Sequence, residues 1–508
     1  MTPPAIELTG IDKSFGAVRA NRDIDLSVAK GSIHGIVGEN GAGKSTLMSI
    51  LYGFYEPDAG TIRVNGAVKT IRSPDDAIAA GIGMVHQHFM LVEPFTVLEN
   101  VMLGVEGGAR LAAGIGRARS ELQRLEREYA LAVEPDAVVG ELAVGLQQRV
   151  EILKALYRGA EVLILDEPTG VLTPAEADHL FRILRQLRDQ GKTIILITHK
   201  LREIMAVTDT VSVMRRGEIV ATRPTAATSP EEIAELMVGR RVLLRVDKDL
   251  VTPGRPLLRV EKLGYVDTKG VRRFSDISFE VRAGEIVGIA GVAGNGQSEL
   301  LEVLAGMRRA TVGRVWLDGA ELPVMTHADP AFMRRRGVAH VPEDRHRTGL
   351  VTSFEEWENA ALGYHRDIRF RRGPFLDIGA MRADARERIK QYDIRPPDCR
   401  LKTANFSGGN QQKIVLAREM ERDPSVLLVG QPTRGVDIGA IEFIHRQLLA
   451  MRAAGKAILL VSVELDEVRA LSDRFFVMCD GRFTGECDAE SEEREIGLLM
   501  AGFSKAAA

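Results

Sequence analysis

A glycine-rich segment at residues 38–46 restricts the possible folds of this chain more than any other stretch. It reads GENGAGKST, which fits the pattern G-x-x-x-x-G-K-[ST] of a phosphate-binding loop. A short apolar run at residues 33–37 precedes it and predicts a buried strand, while Leu47, Ile50 and Leu51 follow it at helical spacing. Strand, loop and helix in this order predict an α/β domain that holds a nucleotide by its phosphates.

The residues of this loop suit phosphate for physical reasons. Glycines let backbone N–H groups turn inward around phosphate oxygens, and the helix N-terminus adds partial positive charge. Lys44 is expected to reach the terminal phosphates, and the Ser45 hydroxyl to help hold Mg²⁺. A chance glycine-rich turn is the alternative, but it would not need the flanking strand and helix. The residues expected to contact nucleotide here are Gly38, Asn40, Gly41, Gly43, Lys44, Ser45 and Thr46.

The chain also repeats itself. LSVAKGSIHGIVGENGAGKSTL at residues 26–47 is echoed by FEVRAGEIVGIAGVAGNGQSEL at residues 279–300, so the loop glycines Gly38 and Gly291 lie 291 − 38 = 253 positions apart. Further along the chain, Gln87 corresponds to Glu343 at a separation of 343 − 87 = 256 positions, and Leu142 corresponds to Phe406 at a separation of 406 − 142 = 264 positions. An insertion in the second copy would produce this increase. We predict two domains of one fold at residues 1–240 and 257–500, a linker at 241–256 and a tail at 501–508.

Each half has the pattern of an α/β domain. Short apolar strands alternate with helical patterns, which predicts a mainly parallel core sheet. Leu122, Leu125 and Tyr129 mark an amphipathic helix within residues 119–133, and residues 381–392 are its counterpart. These helices predict a helical subdomain in each half.

Composition excludes several classes of protein. A chain of 508 residues exceeds the size of a single hydrophobic core. The 67 Lys and Arg against 70 Asp and Glu give a net charge of −3, which does not favour nucleic acid as a partner. The three cysteines lack metal-like spacing, and the N-terminus does not read as a signal peptide. The apolar runs are too short to span a bilayer, so we expect any action at a membrane to occur through other chains.

The order of motifs in the first half resembles that of ATP-binding cassettes. After the phosphate loop come Gln87, a signature-like segment at residues 142–148, an apolar strand ending in Asp166 and Glu167, and then His199. The resemblance covers nearly the whole chain and implies two tandem P-loop cassettes of the ABC type. It also implies ATP and Mg²⁺ as cofactors.

The resemblance implies roles for these residues. Asp166 would hold Mg²⁺ together with Ser45 and Gln87, and Glu167 would polarise the attacking water as general base. His199 would touch the terminal phosphate and orient that water. Phe15 stands where cassettes place an aromatic ring against adenine. Each assignment has a purely structural alternative. Asp166 and Glu167 could form a polar cap at the strand end, His199 could be a structural histidine, and Phe15 could belong to the core.

The second half departs from this pattern at the corresponding positions. Gln297 replaces Lys44, which removes the cation that balances phosphate charge. The remaining replacements are Gly430 for Asp166, Gln431 for Glu167, Glu343 for Gln87 and Val463 for His199. We therefore expect no turnover at the second phosphate loop.

The signature segments show the opposite asymmetry. The second half keeps Ser407, Gly408 and Gly409, whereas the first half has Ala143, Val144 and Gly145. In cassette dimers, the signature of one half completes the phosphate loop of the other. Head-to-tail pairing would therefore give one complete site, with the loop and carboxylates of residues 38–199 and the signature of residues 407–409.

A fused double cassette of this kind is similar to the ATPase subunit of monosaccharide and nucleoside importers. The segments at residues 83–104 and 340–351 favour the nucleoside branch. The resemblance implies two transmembrane permease subunits, an external solute-binding protein and a peripheral position at the cytoplasmic face of the membrane. A monosaccharide importer is the nearest alternative. A soluble double cassette acting on ribosomes or nucleic acid is disfavoured by the degenerate second site and the net charge.

Two surface segments have alternative interpretations. Phe89, Met90, Leu91 and Phe95 either contact a coupling helix of the permease or pack inside the helical insert. The basic run at residues 365–373 is either an ordinary solvated surface, the commoner case, or a contact with anionic headgroups.

Overall fold

The computed structural model describes residues 3–16, 18–86, 90–105, 111–129, 131–169, 172, 174–241, 248–249, 251–292, 294–326, 329–436 and 438–503. The chain divides into two compact units, Met1–Val242 and Leu243–Ala508.

The first unit alternates strands and helices, as predicted. Its strands are β1 (Ile6–Phe15), β2 (Val18–Val28), β3 (Ile33–Gly38), β4 (Ala59–Val64), β5 (Ala67–Lys69), β6 (Ile82–Val85), β7 (Val162–Asp166), β8 (Thr193–Thr198), β9 (Thr210–Arg215) and β10 (Glu218–Pro224). Its helices are α1 (Lys44–Leu51), α2 (Pro74–Ala79), α3 (Val97–Met102), α4 (Leu111–Tyr129), α5 (Val144–Tyr157), α6 (Pro174–Asp189), α7 (Leu201–Val207) and α8 (Pro230–Val238).

The second unit repeats this plan. Its strands are β11 (Pro256–Val266), β12 (Arg272–Arg282), β13 (Glu285–Ala290), β14 (Val312–Leu317), β15 (Ala320–Leu322), β16 (Val338–Val341), β17 (Arg371–Arg372), β18 (Phe375–Leu376), β19 (Val426–Gly430), β20 (Ala457–Ser462), β21 (Arg474–Cys479) and β22 (Arg482–Cys487). Its helices are α9 (Gln297–Leu304), α10 (Pro330–Arg335), α11 (Glu356–Ala361), α12 (Ile378–Gln391), α13 (Gly408–Met420), α14 (Ile438–Ala453), α15 (Leu465–Leu471) and α16 (Glu493–Met500). A π-helical turn spans Arg345–Gly349.

The two units share one sheet topology. The large sheet has the order β10-β9-β3-β8-β7-β6 in the first unit and β22-β21-β13-β20-β19-β16 in the second. Within each large sheet the strands pair in parallel, except for the antiparallel edge pairs β9–β10 and β21–β22. A four-stranded antiparallel sheet accompanies each one. The fold class predicted from the sequence is confirmed.

The parallel register brings the predicted site residues to one edge. Strand β3 is buried along its whole length and pairs with β8 and β9, as expected for a central strand of a parallel sheet that is covered on both faces. The phosphate loop follows the carboxyl end of β3, and Asp166 and His199 stand at the corresponding ends of β7 and β8. Ligands of open α/β sheets bind at this edge.

The helical part of each unit lies in the segment between an equivalent pair of isolated bridges. Thr96 pairs with Val138 in the first unit, and Glu355 pairs with Lys402 in the second. The second segment is five residues longer, since 402 − 355 = 47 and 138 − 96 = 42. The hairpin β17–β18 lies within it. The predicted amphipathic helix is present as α4, and its apolar positions are buried.

Two residues of the predicted linker, which fall within the second unit, contact other parts of that unit. Lys248 forms an ion pair of 2.8 Å with Asp473, and the Asp249 carbonyl accepts a hydrogen bond of 2.8 Å from Arg452. None of the helices in the described ranges is long and apolar enough to cross a bilayer.

Candidate functional site

The phosphate loop of the first unit has no room for side chains at two of its glycines. A Cβ on Gly38 would lie 2.4 Å from the Met214 carbonyl oxygen, and one on Gly43 would lie 2.3 Å from that of Ala20. Gly43 also has a φ of 100° and stands immediately before α1. Its carbonyl accepts a hydrogen bond of 3.1 Å from the buried Asn21 amide. Strand β2 therefore fixes the point where the loop enters the helix.

Lys44 lies folded within this loop. Its side chain is 6% exposed, and its Nζ donates to the carbonyl oxygens of Gly38 at 2.7 Å and Glu39 at 3.1 Å. Burial lowers the pKa of Lys44, while the nearby carboxylates of Glu167 and Asp166 oppose that shift. The ammonium group is thus held at the loop by oxygens that a phosphate could replace.

Asp166 and Ser45 form a pair suited to Mg²⁺. Burial raises the pKa of Asp166, and the adjacent Glu167 raises it further, while Lys44 and a hydrogen bond from Ser45 partly offset the rise. A carboxylate and a hydroxyl are hard oxygen ligands of the kind Mg²⁺ takes beside substrate phosphates. No cluster of three or more acidic, histidine or cysteine side chains suited to a metal occurs among the residues described. The residues present fit a Mg²⁺ that is shared with phosphate oxygens.

Glu167 and His199 contact each other directly. His199 Nδ1 donates a hydrogen bond of 2.9 Å to Glu167 Oε1. This hydrogen bond holds the pKa of Glu167 below its ordinary value, although burial acts in the opposite direction. Glu167 has a left-handed backbone, with a φ of 47°, and its N–H donates to the Ile197 carbonyl at 2.9 Å. A carboxylate that stays ionised can accept a proton from water.

Three predicted residues of the loop are open to solvent, namely Asn40, Gly41 and Ser45. Thr46 is half-buried on the first turn of α1. Gln87, which the sequence suggested as a further metal contact, lies outside the described residues. The structure therefore brings together Lys44, Ser45, Asp166, Glu167 and His199 at one sheet edge.

The same edge of the second unit has a different chemistry. Gln297 Nε2 donates to the Val292 carbonyl at 3.1 Å, so an uncharged amide takes the place of the lysine. Ser298 forms a hydrogen bond with Glu343, whose pKa is raised by burial. Gln431 keeps the left-handed backbone, with a φ of 46°, but its side chain accepts the N–H of Val463 at 3.2 Å. This pocket offers no cation and no general base at those positions.

Comparison with known proteins assigns the family. The ABC transporter family matches residues 21–170 and 274–434, one match in each unit. The chain belongs to the ABC transporter family. The chain is therefore an ATPase built from two cassettes.

Three relatives match along nearly the whole of this chain and of their own length. A nucleoside import ATP-binding protein of Lactococcus lactis subsp. cremoris is 45% identical over 98% of this chain and 98% of its own. A guanosine import ATP-binding protein of Bacillus subtilis is 46% identical over 98% of this chain and 97% of its own. A glucose import ATP-binding protein of Haloferax volcanii is 46% identical over 99% of this chain and 97% of its own.

One solved structure matches along both cassettes. It is an archaeal ribosome recycling factor in complex with a ribosomal stalk protein. The match covers 97% of this chain and 92% of that chain, with 20% sequence identity and a TM-score of 0.64. At this identity the likeness concerns the fold alone.

Phe15 lies at the end of β1 in the first cassette. Its ring is 43% exposed and meets Tyr55 edge-to-face, with the ring centroids 5.1 Å apart. Lys13 Nζ lies 5.7 Å from the ring centroid of Phe15. The structure thus places Phe15 at the surface rather than in the core, and Tyr55 beside it was not indicated by the sequence analysis.

The two signature segments begin their helices differently. Ser407 caps α13 and accepts a hydrogen bond from the Asn410 backbone N–H at 3.4 Å and from its side-chain amide at 2.8 Å. Ala143 stands at the same place before α5 and provides no side-chain cap. Ser407 is exposed, Gly408 is half-buried and Gly409 is buried.

Arg345 is a residue of the second cassette that the sequence analysis missed. Its guanidinium donates to the carbonyl oxygen of Arg434 at 2.7 Å, and a Cβ on Gly408 would lie 2.7 Å from its Nη2. A Cβ on Gly408 would also lie 2.8 Å from the Gly435 backbone oxygen, which cannot move aside as the arginine side chain can.

The sequence signal that could have revealed Arg345 was a difference in length. From Gln87 to the bridge residue Thr96 the first cassette has 96 − 87 = 9 positions, whereas from Glu343 to the bridge residue Glu355 the second has 355 − 343 = 12. The three extra residues lie in the segment that contains Arg345.

Proposed function

We propose that this chain is the ATP-hydrolysing subunit of an ABC importer that takes up nucleosides. The observation that carries the hydrolytic role is the contact between Glu167 and His199 at the sheet edge that also holds Lys44 and Asp166. The printed names of the Lactococcus and Bacillus relatives, which concern nucleoside and guanosine import, support the solute class.

In this proposal the first cassette binds the phosphates. Lys44 exchanges its two carbonyl contacts for phosphate oxygens, and the backbone N–H groups of Gly41 and Gly43 face the same charge. Ser45 and Asp166, with Gln87, would hold Mg²⁺, which would supply positive charge against the charge that develops on the phosphates. Phe15 stacks on the adenine.

Glu167 then acts on the attacking water. Its lowered pKa keeps the carboxylate ionised, so that it can take a proton as the water attacks the terminal phosphate. His199 keeps the carboxylate oriented through its Nδ1 and offers its other ring nitrogen to the phosphate. The expected contribution of such a base is about 10²–10⁴ in rate.

The second cassette supplies the lid. We propose that Ser407, Gly408 and Gly409 close over the terminal phosphate held by the first cassette. ATP then joins the two cassettes, and its hydrolysis removes the contacts that favour the closed state. Only such differential binding can shift a conformational equilibrium. The pocket at Gln297 binds nucleotide weakly at most and does not turn it over.

The proposed partners are two permease subunits and, indirectly, an external solute-binding protein. The chain would lie at the cytoplasmic face of the membrane, attached through the permeases. Met90 and Phe95 are exposed near α3 and are candidates for the permease contact, while Phe89 lies outside the described residues.

Substitutions in the two phosphate loops test the hydrolytic proposal. In the assembled complex, Glu167→Gln should lower ATP hydrolysis by at least about 100-fold, the lower range for loss of a general base. Lys44→Ala removes a charged contact to the phosphates and should lower hydrolysis by about 10²–10³-fold. Gln297→Ala is the matched control in the other loop and should retain most activity. Equal losses in the two loops would refute the assignment of one working site.

The solute needs a separate test, because the Haloferax relative is named for glucose import at similar identity. A monosaccharide is therefore the second candidate. Calorimetric titration of the partner solute-binding protein with guanosine, adenosine, ribose and glucose separates the two. Binding of a nucleoside supports the proposal, and binding of a sugar alone contradicts it.

A further inference from the structure

The residues next to the hairpin β17–β18 are packed against the second cassette. Phe370, directly before it, is buried with Ala361 and Met381. The Arg422 guanidinium lies 5.2 Å from the ring centroid of Phe370 and 3.4 Å from Asp367. The hairpin therefore projects from a packed base, and its exposed residues are held in a defined position.

Its exposed surface is unusually apolar. Ile368 is 84% exposed and Phe375 is 75% exposed, which are the two highest values for large apolar side chains in the described ranges. Leu376 and Ile378 are also exposed. Single exposed apolar residues are common, but four within eleven positions form a patch of the kind that marks an interaction site.

Arginines occur in the same stretch of the chain as these apolar residues. Arg366, Arg371 and Arg372 are exposed, and within the part of the chain that the structure describes none of them forms an ion pair. Arg369, by contrast, is paired with Asp367 at 2.9 Å. The hairpin and the residues that flank it thus combine three cations with exposed apolar side chains in a chain whose net charge is −3.

We propose that this hairpin contacts an anionic lipid surface. Aromatic and aliphatic side chains enter the headgroup boundary, and adjacent arginines are attracted to anionic lipids. A protein partner would be expected to pair such arginines with acidic groups, whereas a charged bilayer attracts them without fixed geometry. The contact would orient the second cassette at the membrane independently of its permeases.

This inference rests on the proposed membrane-peripheral role but does not involve ATP hydrolysis or the solute, so the two proposals can fail separately. The test is cosedimentation of the full chain with vesicles of phosphatidylglycerol and phosphatidylcholine, compared with vesicles of phosphatidylcholine alone. We expect binding to the anionic vesicles only, with a strong decrease at high salt.

Two variants and a control make the test specific. Arg371→Glu with Arg372→Glu, and separately Phe375→Ser with Leu376→Ser, should each lower binding to anionic vesicles by about tenfold. The control Val68→Ser with Lys69→Glu alters an equally exposed apolar–basic pair on β5 and should leave binding unchanged. Circular dichroism confirms folding of each variant.

Three results would overturn the proposal. One is equal binding of the wild-type chain to neutral and anionic vesicles, and another is an equal loss in the control. The third is an absence of binding of the wild-type chain to anionic vesicles. Loss of permease assembly in detergent by the hairpin variants would then identify the hairpin as a protein contact.

Discussion

Gly43 illustrates how a single position fixes the phosphate loop. The methyl group of an alanine at this position would lie 2.3 Å from the backbone carbonyl oxygen of Ala20, and the alanine would have to adopt a φ of 100°. Left-handed conformations in residues other than glycine cost about 1–2 kcal/mol, and the backbone clash adds to this. We expect Gly43→Ala to lower nucleotide affinity by at least about 100-fold, measured by fluorescence titration.

Gly41 is the matched control for that prediction. It also has a positive φ, of 82°, but a Cβ at this position would have no atom within 4 Å. Gly41→Ala should therefore have only the conformational cost, about tenfold in affinity. Equal effects of the two substitutions would mean that the contact with β2 does not hold the loop.

The hydrogen bond between His199 and Glu167 predicts a pH effect. His199 lowers the pKa of Glu167, so its removal should raise that pKa. Because the base must be deprotonated, the acidic limb of the kcat profile of His199→Ala should move to higher pH. His179→Ala, at another histidine of the first cassette, should leave the limb in place. An unshifted limb in the His199 variant would contradict the assignment of Glu167 as the base.

At the scale of elements, one ion pair joins a helix to the sheet in both cassettes. Arg452 of α14 binds Asp473 before β21 through contacts of 2.9 and 2.8 Å, and its side chain is 4% exposed. Arg188 of α6 binds Asp209 before β9 at 3.0 Å but is 28% exposed. In each case the aspartate also accepts a backbone N–H from the central strand, at 2.8 Å.

These two pairs predict unequal stability effects. Arg452→Ala removes two buried contacts from Asp473 but leaves that carboxylate paired with Lys248, so it should cost about 1–3 kcal/mol in the unfolding free energy. Arg188→Ala should cost at most about 1 kcal/mol, because solvent screens the more exposed pair. Urea unfolding of the two variants measures the difference. A larger loss of unfolding free energy in the Arg188 variant would contradict the view that burial determines the strength of these ion pairs.

At the scale of the whole molecule, the fold was predictable because its signals are local. The apolar run before Gly38 and the helical spacing after it specify strand, loop and helix, and the repeated motifs extend that prediction to the second cassette. The proximity of Glu167 and His199 followed only from the family resemblance. In the structure it arises from the parallel pairing of β7 with β8, which places Asp166 opposite Ile197.

Other features could not be predicted because they depend on tertiary contacts. Arg345 reaches Gly408 across 63 positions of sequence (408 − 345 = 63), and no local pattern encodes that packing. The hairpin at residues 371–376 is basic and apolar in sequence, but only the structure shows that both kinds of side chain are exposed while Phe370 is buried. The linker boundaries and the pairing of the cassettes stay predictions.

We propose that the first cassette hydrolyses one ATP under the signature of the second. Vanadate trapping of a photoreactive ATP analogue in the assembled complex, followed by peptide mapping, tests it most directly. We expect one trapped nucleotide per chain, attached to peptides of the first cassette around Lys44, and loss of trapping in Ser407→Ala. Label attached mainly around Gln297, or trapping that is unchanged in the Ser407 variant, would contradict it.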